Sequence, residues 1–128
     1  MTTAIAPANV AVWFEIPAAN FERAVGFYEK VFETRLNCQD MGGARLGVFP
    51  YEQPAMSGCI MKGEGYQPGN GGTVVYLEAK GDLDEPLARV VKAGGKVALP
   101  KTALPPGMGF FAHFVDSEGN RVGIHSVE

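Results

Sequence analysis

The sequence predicts an α+β fold made of two tandem βαβββ modules. Three observations carry that expectation. Gly (17) and Pro (9) together supply about one residue in five and fall in clusters. They cut the chain into many short elements, as an antiparallel sheet with tight turns requires. A strand followed by an amphipathic helix occurs twice, with helix-start signals at Asn20 and Asp82, 62 positions apart (82 minus 20). One such unit has an open sheet and too little core, whereas two can share one. The chain has 128 residues and a mass of 13.6 kDa, which fits a single domain over 1–128.

The first module is expected over about 8–62. It opens with the apolar strand Val10–Ile16. A helix starts at Asn20, whose side chain can cap the first turn, and sets Phe21, Ala24, Val25, Tyr28, Val31 and Phe32 on one face. Strands follow at 45–49 and 57–61. Residues 63–72 (Gly-Glu-Gly-Tyr-Gln-Pro-Gly-Asn-Gly-Gly) form a linker. They resemble a phosphate-binding loop only in glycine content, since neither a following helix nor Gly-Lys-Ser/Thr is present. The second module, about 73–127, opens with the strand 73–79. Asp82 and Glu85 resemble a capping box, and Leu83, Leu87, Val90 and Val91 form the helical stripe up to the stop at Gly94-Gly95. Strands at 96–99, 110–115 and 121–126 finish the chain, with a turn at 116–120.

Composition narrows the function. Hydrophobic residues are 46% and charged residues 20%, ordinary for a folded protein. The net charge of -3, without a basic block, leaves no electrostatic footprint for nucleic acid. No apolar run nears the roughly 18 residues of a membrane helix. The start, Met-Thr-Thr-Ala-Ile-Ala-Pro, lacks a basic leader, so a cytoplasmic protein is expected. Cys38 and Cys59 lack companions at zinc spacing and are expected as reduced, buried thiols.

The segment Trp13–Phe32, with its Arg23-Ala24 and Phe27-Tyr28 pairs, resembles the opening of the vicinal oxygen chelate superfamily of glyoxalases, bleomycin-resistance proteins and extradiol dioxygenases. The segment Phe114–Ser126 resembles that family's closing hairpin, and Ala93–Val97 its second-module helix end. The resemblance implies that the modules form a curved mixed sheet around a central cavity. It also implies four metal-ligand positions in metal-dependent members. Counting by the family's spacing places these at Trp13, at Val75 or its neighbours Thr73 and Val74, at Gly123, and around Cys59–Met61. Trp, Val and Gly cannot ligate a divalent cation, so no metal or other cofactor is expected.

Strand alternation puts Trp13 with Glu15, and Arg121 and Gly123 with His125, on the faces the resemblance assigns to the cavity. Glu15 and His125 are therefore candidate catalytic residues as a carboxylate–imidazole pair, against the alternative of a buried pair that only satisfies itself. Trp13, Glu15, Phe111, His113, Arg121 and His125 are the candidate ligand-binding residues. Trp13 offers a flat face or simply fills space, and His113 lines the pocket or packs in the core. Residues 104–110 read as a loop at the pocket mouth. The expected function is binding of a small, partly apolar molecule in a metal-free cavity. The alternative is a lyase, isomerase or dioxygenase using a divalent metal or the Glu15/His125 pair. A homodimer is expected, because such two-module relatives pair and because Phe49, Tyr51, Met56, Met61 and Tyr66 look surplus to one core.

Overall fold

A computed structural model describes residues 9–128. The start at 1–7, on which the cytoplasmic expectation rests, and the proposed boundary at residue 8 lie outside the described residues. The first module comprises β1 (Trp13–Pro17), α1 (Phe21–Phe32), β2 (Asn37–Met41), β3 (Ala44–Val48) and β4 (Ser57–Lys62). The second comprises β5 (Tyr76–Glu78), α2 (Asp84–Lys92), β6 (Lys96–Ala103), β7 (Phe110–Val115) and β8 (Arg121–Ser126). Each module is a four-stranded sheet, ordered β1-β4-β3-β2 and β5-β8-β7-β6. The first strand of each sheet runs parallel to the last, and the other pairings are antiparallel. This is the α+β fold of two βαβββ units.

Helix α1 begins as its sequence dictates: the Asn20 side chain accepts the Arg23 N–H at 3.0 Å. Its inner face buries Phe21, Ala24, Phe27, Tyr28 and Val31. Helix α2 departs from the capping-box expectation. Its cap is Leu83, and Asp82 instead accepts the Asp84 N–H at 2.9 Å and Lys101 Nζ at 3.0 Å. Val91, expected in the stripe, is exposed, because the buried arc runs through Leu83, Leu87 and Val90. Strand β2 is an unforeseen element. All five of its residues are exposed, so it has no apolar alternation, and the Gly42-Gly43 turn with both φ positive ties it to β3. Strand β1 starts three residues later than expected and β5 is shorter, while β6 runs on to Ala103.

One core serves both modules. Ile16, Phe27, Tyr28 and Ile60 of the first meet Leu87, Phe114, Val122 and Ile124 of the second, each large apolar side chain contributing about 1.5–3 kcal/mol on burial. Of the residues read as surplus, Met61 is buried but lies outside that cluster, whereas Tyr51 and Met56 are exposed. Polar contacts lock the modules together at the β7–β8 turn. The buried Tyr28 hydroxyl donates to Asp116 Oδ2 at 2.7 Å, and Asn120 Nδ2 donates to the Pro17 carbonyl at 2.7 Å. Burial, reinforced by the Asp116 charge, pushes the Tyr28 hydroxyl well above its usual pKa and keeps it a donor. Glu118 reaches the start of α1, where it accepts the Ala19 and Asn20 N–H groups at 2.9 and 2.8 Å and pairs with Arg23 at 2.6 Å.

Candidate functional site

The sheet faces turned away from the helices carry the candidate residues. On β1, Ile16 enters the core while Trp13 and Glu15 point out; on β8, Val122 and Ile124 enter while Arg121 and His125 point out. These outward faces form two neighbouring clefts. Trp13, Glu15 and Arg121 line one of about 400 Å³, closed on one side by linker residues Gln67, Gly69 and Gly71. Tyr76, Leu104, Met108, Phe111 and His125 line the other, of about 390 Å³. A third cleft, of about 560 Å³, opens between Phe14, Phe49, Leu77 and Arg89 and contains none of the expected residues.

The expected Glu15/His125 pair is not formed. His125 Nε2 donates to the Met108 carbonyl at 2.7 Å, in the second cleft. Glu15 lies in the first, against the Tyr66 hydroxyl, whose pKa it raises by hydrogen bonding and charge. Shared strand parity puts two side chains on one side of the protein; it does not close the gap between strands of different sheets. Trp13 is 42% exposed and therefore offers its face to the cleft rather than filling the core. Its indole N–H leans on the buried Cys59 thiol, whose pKa burial pushes up to about 11. Cys38, expected to be buried, is exposed, and neither cysteine is bridged.

His113 is not a core residue. It joins the two clefts through a hydrogen-bonded chain. Arg121 Nε donates to His113 Nδ1 at 2.9 Å, and His113 Nε2 lies 2.5 Å from the Tyr76 hydroxyl. An Nδ1 that accepts must be unprotonated, so the neutral ring carries its hydrogen on Nε2 and donates it to Tyr76. Partial burial, with the neighbouring Arg121 charge, lowers the His113 pKa and favours that neutral form. The Tyr76, Phe111 and His113 rings form one aromatic cluster with centroids 5.3 to 6.4 Å apart.

Tyr76 was not among the expected residues. The helices begin at Phe21 and Asp84, 63 positions apart (84 minus 21), so Tyr76, not Val75, matches Trp13. Taking Asp82 as the cap shifted the count by one. Tyr76 pairs with Gly123 across β5 and β8, and its ring packs against that glycine. A Cβ built at Gly123 would stand 2.4 Å from the ring. Trp13, Tyr76 and Gly123 therefore occupy three of the positions at which the resemblance implies metal ligands. Trp and Gly have no suitable donor, and the Tyr76 oxygen is engaged by His113. Among the described residues no three His, Cys, Asp or Glu side chains converge. These three positions therefore lack the imidazole and carboxylate donors that a divalent-metal site uses.

Residues 104–110 close the β6–β7 hairpin over the second cleft. Leu104 N donates to the Gly109 carbonyl at 2.9 Å and Met108 N to the Pro105 carbonyl at 3.0 Å. Gly109, at φ +86°, packs so tightly on β8 that a Cβ would meet the Ser126 carbonyl at 2.3 Å. Among the described residues no helix is long and apolar enough to cross a membrane.

The sequence model of the glyoxalase/bleomycin resistance protein/dioxygenase superfamily matches residues 10–124. Solved structures with the same fold include TnmS3, an antibiotic binding protein from Streptomyces sp. CB03234. It has a TM-score of 0.66 and 24% identity, over 94% of this chain and 98% of that one. The fosfomycin resistance protein FosX from Listeria monocytogenes has a TM-score of 0.67 and 14% identity, over 94% and 91%. A glyoxalase I variant from Zea mays has a TM-score of 0.66 and 19% identity, over 91% of this chain and 46% of that one. The chain thus spans a little under half the length of the Zea mays protein. No curated protein matches the sequence.

Proposed function

Since the chain belongs to the glyoxalase/bleomycin resistance protein/dioxygenase superfamily, we propose that it binds a small, partly apolar molecule in a metal-free site on its outward sheet faces. The observation that carries this reading is the exchange of metal donors for aromatic surface. Trp13 and Tyr76 stand at two of the implied ligand positions, 42% and 47% exposed, beside clefts of a size suited to a small ligand. Two proteins of the same fold are described as antibiotic binding and fosfomycin resistance proteins. Sequestration of a toxic compound or a metabolite needs only such a cavity. The two unbridged cysteines fit a reducing, cytoplasmic setting.

The proposal includes a homodimer. Trp13, Tyr51, Met56, Tyr76 and Met108 are all more than 40% exposed, an apolar surface that a second copy would cover in part. Light scattering at micromolar concentration should give twice the mass of one chain; the mass of one chain contradicts the dimer.

A thermal-shift screen of small aromatic and antibiotic compounds, run with and without EDTA, tests the binding function. Ligand at 100 times its Kd stabilises the folded state by about 2.7 kcal/mol, a rise in Tm of about 10 °C for a chain of this size. Hits should be unchanged by EDTA. Hits that vanish with the chelator contradict the metal-free reading.

A further inference from the structure

We propose that the Tyr76 hydroxyl is a preorganised hydrogen-bond donor, selecting ligands that present an acceptor oxygen beside an apolar body. The inference rests on the binding function above and names its ligand chemistry. The chain of donors runs one way. The Arg121 side chain offers only N–H donors and gives its Nε–H to His113 Nδ1; His113 donates through Nε2 to the Tyr76 oxygen. The Tyr76 O–H proton is thereby directed away from His113, and among the described residues no group accepts it. The ring cannot slide toward the sheet, because it already rests on Gly123. Phe111 and His113 flank it at centroid distances of 6.4 and 5.3 Å.

The surroundings set the rest of the ligand. Leu104, Met108 and Phe111 make the second cleft mostly apolar, and His125 spends its Nε2–H on the Met108 carbonyl. Tyr76 is then the donor this cleft presents to a ligand. A carbonyl, carboxylate or phenolate oxygen meets that donor, while its planar or aliphatic body covers Met108 and Phe111. Arg121 and His113 act through Tyr76 and are positioning residues.

Two nearly isosteric probes separate the donor from the pocket: 2-acetylnaphthalene, which carries an acceptor oxygen, and 2-isopropenylnaphthalene, which does not. Affinities are measured by isothermal titration on wild type, Tyr76→Phe and Arg121→Met, with thermal melts confirming that each variant folds. Tyr76→Phe should weaken the acetyl probe about 3- to 10-fold, the span of one net hydrogen bond, and leave the isopropenyl probe within about twofold. Arg121→Met should reduce the acetyl affinity in the same direction without changing the isopropenyl affinity; a merely structural role would move both. Equal changes for the two probes, or no change for either, overturn the donor assignment while leaving the binding function intact. Failure of wild type to bind either probe overturns this cleft as a ligand site, and the donor with it.

Discussion

Replacing Glu118 with Ala should unfasten the second module from the first helix of the other. The Glu118 side chain is fully buried, and its carboxylate accepts two backbone N–H groups at 2.9 and 2.8 Å at the start of α1. A hydrogen bond to a charged group contributes about 1.5–3 kcal/mol. Ala19 and Asn20 are exposed, so water would replace part of each bond. Arg23 is itself 55% exposed and would return to solvent, so its ion pair adds little to the sum. Together these give a loss of about 2–3 kcal/mol. With an unfolding entropy of about 2.1 cal/mol/K per residue, that is a fall in Tm of about 7–11 °C. Circular-dichroism melts and urea titrations measure it, and the urea midpoint should fall at constant m-value. Arg23→Ala should shift Tm by less. A Glu118→Ala shift below about 2 °C would refute the turn as an inter-module lock.

Burial alone would raise the Glu118 pKa, but Arg23, the Asn20 N–H and Ser117 outweigh it and lower the folded-state value. Its stabilisation is therefore complete above the ordinary carboxylate pKa of about 4.3 and is lost as pH falls through the lower folded value. The stability gap between wild type and Glu118→Ala should narrow on acidification below that point; a widening gap would contradict the sign. Thiol labelling with a disulfide reagent near pH 8 should modify Cys38 in the native protein and spare Cys59, which is fully buried with its pKa pushed up to about 11. Rapid native labelling of both would show that β4 is not packed as described. Gly123→Ala would set a Cβ 2.4 Å from the Tyr76 ring. Expelling that ring should cost about 1–2 kcal/mol and break its contact with His113. An unchanged melt with unchanged Tyr76 ring resonances would count against the stacking.

Much of this architecture is legible in the chain because it is written in local chemistry. The Asn20 cap, the buried stripe of α1, and the strands 110–115 and 121–126 all follow from side-chain type and spacing. What is not legible arises between elements. Strand β2 is an exposed edge whose residues carry no alternation, and its one clear signal was the Gly42-Gly43 pair that turns it into β3. The second helix misled because Asp82 is a good capping residue that bonds instead to Asp84 N and Lys101. That single residue of register hid Tyr76. Parity correctly separates outward from inward residues on β1 and β8, but it says nothing about lateral distance. Glu15 and His125 consequently point outward in different clefts, and the polar chain that joins the clefts runs through His113 instead.

The proposed ligand site works without a metal, because Trp13, Tyr76 and Gly123 stand where the resemblance implies metal ligands. Elemental analysis of protein purified without chelators tests it most directly. Zinc, nickel, manganese and iron should each fall below about 0.1 equivalent per chain, since among the described residues no three His, Cys, Asp or Glu side chains converge to retain them. About one equivalent of any of the four, removed only together with a loss of stability, would contradict it.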